Sequence, residues 1–464
     1  MEIGAMISRL ASLIYYSFWP RLRPRGYIGC LTAAVRQRNN LEWDSPDEVW
    51  SRQKTKLSAL LEHAAQNVPY YRALAQAKKL QLKIQRPEDM AAVPILTKGI
   101  IRREGDALLA ENFPRHLMRR NATGGSTGQP VQFWSDGPTL LLSNAGESWA
   151  LTLAGLNSKS SLAYFWGAAR FERSTTRDIR DRIVQTITNR IFIDCFRMQE
   201  EDLQRAHSRM VRFRPDALMG YTSGLIELAA FLQRNGLRPK YPKKVLISAA
   251  ETLDDISRQK LQNTFGVPVY DRYGSREIGL IAMECNRHQG LHIDCENIFV
   301  ELADNPDTPR LQRIIVTKLN QFGMPFIRYD IEDLAEGQIS SCPCGRGYPV
   351  LKRIVGRVTE TIRRPDGTCL PGELFPHLLK DCGIDSFQVI QESDYSLEVV
   401  LVKSPDQTPQ QDQKLRRIIT EQLGPSIPMA ISYVEHIDRS ATGKLLPVIS
   451  YAPRRAESES GKAE

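Results

Sequence analysis

The chain has 464 residues, of which 42% are hydrophobic and 25% are charged, and its formal net charge is +9. This length allows two or three domains, and this composition is typical of a globular protein. Eight cysteines in so long a chain exclude a disulfide-dense scaffold. No stretch reaches the roughly 18–20 apolar residues of a membrane span. The basic residues do not form the aromatic-interleaved stripe typical of nucleic-acid binding, so we expect no nucleic-acid partner. The cytoplasm is the expected compartment.

Near the N-terminus, an apolar stretch over residues 6–19 is followed by Arg21, Arg23 and Arg25. A signal peptide carries its positive charges before its apolar region, so this order does not fit one. Two interpretations of residues 1–40 stay open. They form either an amphipathic helix packed on the protein body or a peripheral contact with the anionic inner face of a membrane.

The first clear helix signal follows at residues 45–48, which read SPDE. Ser45 can cap a helix, Pro46 fits its first turn, and Glu48 completes a capping box. Leu57, Leu60, Leu61 and Ala64 then repeat at helical spacing. The pattern predicts a helix of about five turns with one buried face.

From residue 244 onward the pattern changes to short apolar strands separated by helices. Residues 245–247 and 267–270 are strand-like and flank a helical segment over residues 256–265. A further strand is predicted at residues 314–316, in a region rich in β-structure. This alternation predicts an α/β fold with layered sheets and helices.

The C-terminal hundred residues predict a separate small lobe. A strand is expected over residues 397–402 and a helix over residues 414–423, which together suit an α+β unit. We therefore expect a large N-terminal domain over residues 1–355 and a small, mobile C-terminal lobe over residues 356–453. The polar residues 454–464 are expected to be a disordered tail.

Residues 121–130 read NATGGSTGQP, a loop with many free backbone N–H groups and hydroxyls. Such a loop can surround a phosphate, because glycine permits a close backbone approach and Ser and Thr add donors. Gln129 stands where the common phosphate loop has lysine, and the dinucleotide pattern G-x-G-x-x-G is absent. The candidate phosphate-binding residues are Thr123, Gly124, Gly125, Ser126, Thr127 and Gly128.

Four further motifs follow this loop in order. They are YGSRE at residues 273–277, RYDIED at 328–333, GR at 356–357, and RSATGK at 439–444. Together they resemble the adenylate-forming superfamily, which includes the acyl- and aryl-coenzyme A ligases. The closest resemblance is to the phenylacetate–coenzyme A ligase branch and its capsular-polysaccharide-associated relatives, which residues 67–71 (NVPYY) and 249–253 (AAETL) also resemble.

The resemblance implies an enzyme that uses ATP and Mg²⁺ to adenylate a carboxylic acid and then transfers the acyl group to coenzyme A. The glycine loop would hold the leaving phosphates. Glu277 would hold Mg²⁺, which prefers oxygen ligands, and Lys444 would reach the reacting carboxylate. The nucleotide-binding residues implied by the resemblance are Tyr273, Gly274, Ser275, Asp333 and Arg357.

The same resemblance places the acid-binding pocket around Tyr221, Ser248 and Glu251. Since Lys444 and Glu277 lie on different predicted lobes, it also implies domain closure, with a pivot near Arg357. Two positions depart from the family pattern. Gln129 replaces a frequent lysine, and Glu360 stands near the place of a hinge aspartate.

A second constellation has the chemistry of a metal site. Cys342 and Cys344 form a C-x-C turn, and residues 285–292 read CNRHQGLH. Two such pairs supply four ligands for tetrahedral zinc, and without an open position they indicate a structural ion. The C-x-x-H spacing from Cys285 makes His288 the first choice as fourth ligand, with His292 as its rival. The alternative is a set of separate reduced cysteines.

Three functions remain open at this point. The first is a coenzyme A ligase, and the second is an adenylating ligase that passes its acyl group to an amine, hydroxyl or carrier in polysaccharide or natural-product biosynthesis. The third is a nucleotide-binding assembly protein without catalysis. The presence of both Lys444 and Glu277 favours the enzymes over the third.

Overall fold

The computed structural model describes most of the chain, with gaps. The described residues are 27–77, 83–122, 131–166, 189–195, 198, 200–305, 310–357, 361–363, 369–371, 375, 379, 382–404, 407–423, 427–438 and 446–452. The chain divides into two compact units. The first comprises residues 1–302, 314–331 and 337–354, and the second comprises residues 303–313, 332–336 and 355–464.

Nine α-helices lie within the described ranges. They are α1 (Tyr27–Leu41), α2 (Pro46–Asn67), α3 (Pro69–Gln76), α4 (Lys98–Glu104), α5 (Gly137–Leu153), α6 (Glu200–Phe213), α7 (Thr222–Arg234), α8 (Asp255–Phe265) and α9 (Pro409–Leu423). Short 3₁₀ helices occur at Pro87–Ala92, Gly105–Leu108 and Arg115–Leu117. None of the described helices is long and apolar enough to cross a bilayer.

The described part of the chain also forms twenty strands. They are β1 (Arg119–Ala122), β2 (Gln132–Ser135), β3 (Leu162–Trp166), β4 (Arg190–Asp194), β5 (Ala217–Tyr221), β6 (Val245–Ala249), β7 (Val269–Ser275), β8 (Gly279–Glu284), β9 (Leu291–Ile293), β10 (Ile298–Asp304), β11 (Leu311–Lys318), β12 (Tyr329–Glu336), β13 (Val350–Leu351), β14 (Arg353–Arg357), β15 (Thr361–Arg363), β16 (Cys369–Pro371), β17 (Ile384–Gln391), β18 (Leu397–Lys403), β19 (Met429–Tyr433) and β20 (Val448–Ser450).

The largest sheet has eight strands in the order β13-β9-β8-β7-β6-β5-β3-β4. Strands β4, β3, β5, β6 and β7 are parallel, whereas β8, β9 and β13 extend the sheet antiparallel. The predicted α/β class is confirmed, since β6, α8 and β7 alternate along the chain as their sequence pattern indicates. Because the central strands are parallel, their carboxyl ends share one edge, where ligands bind in such sheets.

Helix α2 begins as its sequence predicts. The Ser45 side chain accepts a hydrogen bond from the Glu48 N–H at 3.4 Å, and the Glu48 carboxylate accepts one from the Ser45 N–H at 2.8 Å. Leu57, Leu60 and Leu61 are fully buried on one face. The capping box and the apolar spacing therefore define both the start and the buried side of this helix.

Helix α1 is fastened to the first unit by a buried ion pair. Arg38 Nε lies 3.1 Å from Asp294 Oδ1, and its guanidinium also donates to the Leu142 carbonyl oxygen in α5. Asp294 is fully buried, and burial raises its carboxyl pKa while Arg38 opposes that rise. Thus residues 27–41 pack on the protein body, whereas residues 1–26, including the predicted apolar segment, lie outside the described residues.

The second unit contains its own sheet and apolar core. Strands β17 and β18 are antiparallel, while β20 and β19 join their outer sides in parallel, giving the order β19-β18-β17-β20. Leu415 and Ile419 of α9 are buried in the same cluster as Val389, Val399 and Leu401 of the sheet. Residues 454–464, predicted as a tail, lie outside the described residues.

The buried pair on α1 yields a stability prediction. We expect Arg38→Met to lower the free energy of unfolding by about 3–5 kcal/mol, because the buried Asp294 carboxylate loses its cation. Arg36→Met, at an exposed position of the same helix, should change it by less than about 0.5 kcal/mol. Urea unfolding measures both variants. Equal effects would show that the pair does not anchor α1.

Candidate active site and metal centre

The candidate active site is built at the carboxyl ends of the central parallel strands. Tyr221 ends β5, Ser248 lies near the end of β6, and Tyr273 lies near the end of β7. All three belong to the first unit. The topology thus places three separate predicted segments along one edge of the sheet, as a parallel α/β sheet requires.

The glycine loop emerges from a β-hairpin. Strands β1 and β2 are antiparallel with Ala122 opposite Gln132, so the loop begins and ends at neighbouring positions. The loop residues themselves, Thr123 to Gly128, lie outside the described residues. The guanidinium of Arg276, in the YGSRE motif, donates a hydrogen bond to the Ala122 carbonyl oxygen at 3.2 Å. Two motifs distant in sequence therefore meet at the base of the loop.

Glu277 follows Arg276 and is buried. The Tyr329 hydroxyl donates to Glu277 Oε1 at 3.3 Å, and the described residues offer no hydrogen-bond donor to its second carboxylate oxygen. Tyr329 belongs to the RYDIED motif, so this contact joins a third motif to the same site. An acidic oxygen without a protein donor is the kind of ligand that a hard divalent cation prefers.

A buried lysine that sequence reasoning missed lies beside Glu277. Lys318, at the end of β11, is only 5% exposed, and its Nζ donates to the Glu277 carbonyl oxygen at 3.5 Å. Burial lowers the pKa of Lys318 to about 8, although the carboxylates of Glu277 and Asp136 act in the opposite direction. No sequence motif contains Lys318. The only signal for it in the sequence is its position at the end of the apolar strand β11.

Asp136 connects the glycine-loop hairpin to the surroundings of Lys318. It follows β2 directly and caps α5, since its Oδ1 accepts a hydrogen bond from the Thr139 N–H at 2.8 Å. Its Oδ2 accepts hydrogen bonds from the backbone N–H groups of Phe322 and Gly323 at 3.1 and 2.9 Å. The carboxylate is thereby held in position close enough to Lys318 for an attractive charge interaction.

The YGSRE motif forms the tight end of the β7–β8 hairpin. The register between these strands shifts at Tyr273 and Gly274. A side chain at Gly274 would collide with the Gly279 carbonyl oxygen, so this position requires glycine. The Ser275 hydroxyl accepts a hydrogen bond from the Ile278 N–H at 3.2 Å, which shapes the turn around Glu277. Within the hairpin, Ser275 therefore has a structural task.

The predicted acid-binding residues lie together, but their side chains are engaged. Ser248 Oγ lies 2.6 Å from Thr222 Oγ1. The Glu251 carboxylate accepts hydrogen bonds from the Ser223 N–H and hydroxyl at 2.7 and 3.0 Å, which caps α7. The Tyr221 ring packs 4.5 Å from that of Trp166, and burial raises its pKa to about 12. These contacts place an aromatic pair, Tyr221 and Trp166, close to the Glu251 carboxylate.

Three predicted residues belong to the second unit. Asp333 is buried within β12. Arg357 ends β14, but its side chain is not described, and Lys444 lies outside the described residues. Two residues beyond Lys444, the Leu446 carbonyl oxygen accepts a hydrogen bond from the Gln388 side chain at 2.9 Å. The roles implied for these residues stay predictions.

The zinc-like cluster assembles from four residues, Cys285, His292, Cys342 and Cys344, whose ligand atoms all lie within 4.8 Å of one another. The Cys285 and Cys342 sulfurs are 3.8 Å apart, and the Cys344 sulfur is 3.3 Å from His292 Nε2. Tetrahedral zinc, with bonds of about 2.3 Å to sulfur and 2.0–2.1 Å to nitrogen, places neighbouring ligand atoms about 3.5–3.8 Å apart. The donor set and its spacing therefore fit zinc.

The structure corrects the first choice of histidine. His292 Nδ1 lies 2.8 Å from the Tyr348 carbonyl oxygen, which makes Nδ1 the donor and leaves Nε2 facing Cys344. Burial lowers the pKa of His292 to about 4, so the ring is neutral, as a metal ligand must be. His288 instead lies at the surface, with Nδ1 3.1 Å from the Glu284 carboxylate. The turn after Cys285 carries His288 away from the cluster.

Arg346 ties this cluster to the first helices. Although burial opposes it, hydrogen bonds from Arg346 lower the pKa of Cys344. The same guanidinium lies 3.1 Å from Glu42 and stacks 4.6 Å from the Trp43 ring. Glu42 in turn accepts a hydrogen bond from the Trp149 indole at 2.7 Å. The loop that contains Cys344 and Arg346 is therefore linked, through Glu42, to the turn between α1 and α2 and to α5.

Comparisons with known proteins agree with this architecture. A family model described as the CapK C-terminal domain matches residues 362–451. Protein CapK of Staphylococcus aureus is 21% identical over 67% of this chain and 68% of its own length. The phenylacetate–coenzyme A ligase of Aromatoleum evansii is 23% identical over 89% of this chain and 97% of its own length.

Among solved structures, a 2-hydroxyisobutyryl-CoA ligase in the postadenylation state has a TM-score of 0.69. The similarity covers 86% of this chain and 88% of that enzyme. At 16% sequence identity, it is a similarity of fold. The fold is therefore similar to that of this acyl-CoA ligase. These relatives support the resemblance of the ordered motifs to the phenylacetate–coenzyme A ligase branch, including CapK.

Proposed function

We propose that this protein is an ATP-dependent ligase that adenylates a carboxylic acid and transfers the acyl group to coenzyme A. One observation carries the proposal. Arg276 contacts the base of the glycine-loop hairpin, and the next residue, Glu277, contacts Tyr329 of a separate motif. A site for ATP needs a phosphate-binding loop next to a metal-binding carboxylate. The hairpin that flanks residues 123–130 and Glu277 are the candidates for these two parts, and both belong to the first unit.

The residues at the site fit the cofactors that such a reaction needs. Glu277 would hold Mg²⁺ through the carboxylate oxygen for which the described residues provide no donor. The backbone N–H groups and hydroxyls of residues 123–128 would hold the leaving pyrophosphate. Lys444 would contact the substrate carboxylate and the α-phosphate. Bound Mg²⁺ supplies positive charge that reduces the repulsion between the carboxylate and ATP.

The acceptor of the acyl group has a second candidate. The CapK C-terminal model matches residues 362–451, the segment that contains Lys444. Because CapK is not described as a coenzyme A ligase, transfer to an amine, a hydroxyl or a carrier is the alternative. Both alternatives share the adenylation step, so they differ only in the nucleophile that consumes the acyl adenylate. A thiol needs little acid–base assistance, whereas an amine or hydroxyl requires a base.

Acid-dependent exchange between pyrophosphate and ATP tests the shared step. With a panel of aryl and short acyl acids, we expect exchange with at least one acid. Added coenzyme A should then consume the acyl adenylate of that acid. Lys444→Ala should reduce exchange about 100-fold or more, because it removes positive charge from the transition state. Lys414→Ala, at an exposed position of α9, is the matched control and should retain exchange.

ATP binding by the same variants separates catalysis from folding. Calorimetry should show ATP bound by Lys444→Ala nearly as tightly as by the wild type, since this lysine acts on the reacting groups. An absence of exchange with every acid, together with retained ATP binding, would favour the non-catalytic nucleotide-binding alternative. Stable adenylate that coenzyme A does not consume would favour another acceptor.

We further propose that Lys318 balances the charge of Glu277 and Asp136 when the anionic substrates bind. Lys318→Met should reduce exchange by about tenfold or more, since two buried carboxylates would then face ATP without their cation. Lys318→Arg should retain more activity, and Lys352→Met, at an exposed site, should be neutral. The measurement is the rate of pyrophosphate–ATP exchange for each variant, and circular dichroism shows whether the variant is folded. Wild-type exchange in a folded Lys318→Met protein would reject the role.

Finally, we propose that Cys285, His292, Cys342 and Cys344 hold one structural zinc ion. Metal analysis of freshly purified protein should give about one equivalent, and Cys342→Ala should hold less than about half. Its thermal midpoint should also fall, because the cluster closes the loop that carries Arg346. Cys295→Ala, a buried thiol outside the cluster, should keep the metal. Full zinc content in Cys342→Ala would disprove this ligand set.

A further inference from the structure

A basic groove lies on the first unit, at the edge of the sheet opposite the candidate active site. It is lined by His207 and Val211 of α6, Arg214, Arg238 and Lys240, and encloses about 480 Å³. Arg214 precedes the amino end of β5, whereas Tyr221 lies at its carboxyl end. At about 3.3 Å per residue, the two edges are roughly 13 Å apart along this strand. The groove is therefore separate from the proposed catalytic edge.

The groove lies in a basic part of the described chain. Residues 200–206, at the start of α6, contain three acids and one Arg, whereas residues 207–244 contain eight Lys or Arg and only two Asp or Glu, a net charge of +6. Both acids are already engaged. Asp216 accepts a hydrogen bond from the Ser161 N–H at 2.9 Å and lies 3.9 Å from Lys243, while Glu227 lies 3.5 Å from Arg234.

No carboxylate among the described residues lines the groove, although three of its five lining residues are Arg or Lys. Such a surface attracts anions, because uncompensated positive charges produce a positive local potential. The groove also has a fixed wall: His207 Nδ1 lies 2.9 Å from the hydroxyl of the buried Tyr241. The arrangement thus provides several cations around one concave surface.

The side chains that line the groove favour one class of anionic partner over another. Nucleic-acid sites combine cations with exposed aromatic rings for stacking, and the described lining offers only the His207 ring. Val211, in contrast, is an aliphatic side chain that is 50% exposed among these cations. Cations surrounding an exposed apolar side chain suit the headgroup region of a bilayer, where phosphates meet hydrocarbon.

We propose that this groove binds the phosphate groups of an anionic lipid surface and holds the protein at a membrane. Arg214, Arg238 and Lys240 would contact headgroup phosphates, and Val211 would enter the interfacial layer. The contact would leave the carboxyl edge of the sheet, with Tyr221 and Ser248, facing away from these phosphates. This proposal does not depend on the identity of the reaction.

Vesicle co-sedimentation of the full-length protein tests the proposal. We expect binding to vesicles of phosphatidylcholine with phosphatidylglycerol and little binding to pure phosphatidylcholine. The triple variant Arg214→Gln, Arg238→Gln, Lys240→Gln should bind about 100-fold more weakly, since each surface cation contributes roughly fivefold. The control Arg86→Gln, Lys352→Gln, Lys414→Gln removes equal charge at exposed positions elsewhere and should bind nearly as the wild type does.

Several outcomes would overturn the proposal. Wild-type binding that is absent, or equal on neutral vesicles, would exclude recognition of anionic lipid. Equal binding by the triple variant and its control would assign the contact to another segment, such as residues 1–26. Calorimetry with inorganic phosphate tests whether the groove binds a soluble phosphate compound rather than a lipid surface. Saturable phosphate binding that the triple variant loses, without vesicle binding by the wild type, would identify a free phosphate compound instead.

Discussion

The charge balance around Lys318 is the constraint on which the candidate site depends. A buried ammonium is costly, and here it lies close to the carboxylates of Glu277 and Asp136, which offset part of that cost. The three residues come from the end of β11, the β7–β8 hairpin and the segment after the glycine-loop hairpin. Their mutual attraction keeps these segments together before any anionic substrate binds. Under the proposed function, polyanionic ATP would therefore meet a site that already contains a positive charge.

A second polar network fixes the frame around this site. Arg346 links the Cys344 thiol to Glu42, and Arg38 links α1 to the buried Asp294, two residues after His292. Both networks attach the first two helices to the antiparallel extension of the large sheet. Because each buried charge is paired, the helices can pack against polar groups without leaving an unpaired ion. The proposed zinc ion would add a covalent clamp to the same region.

The distribution of polar groups also separates two faces of the first unit. The candidate active site combines charges of both signs, since the carboxylates of Asp136 and Glu277 act on the buried Lys318 ammonium. The opposite edge has cations whose neighbouring acids are already engaged. A site that admits both ATP and Mg²⁺ needs charges of both signs, whereas a site for phosphates alone needs only cations. The two edges are thus suited to different anionic partners.

The sequence by itself determined the fold class, the capping box of α2 and the ordered motifs, because these depend on local periodicity and on residues close together in the chain. Only the tertiary structure decided between His288 and His292, revealed Lys318, and showed that Ser223 engages Glu251. These facts depend on contacts between segments far apart in sequence. A side chain's direction and burial follow from how strands and turns pack, which residue spacing alone does not specify.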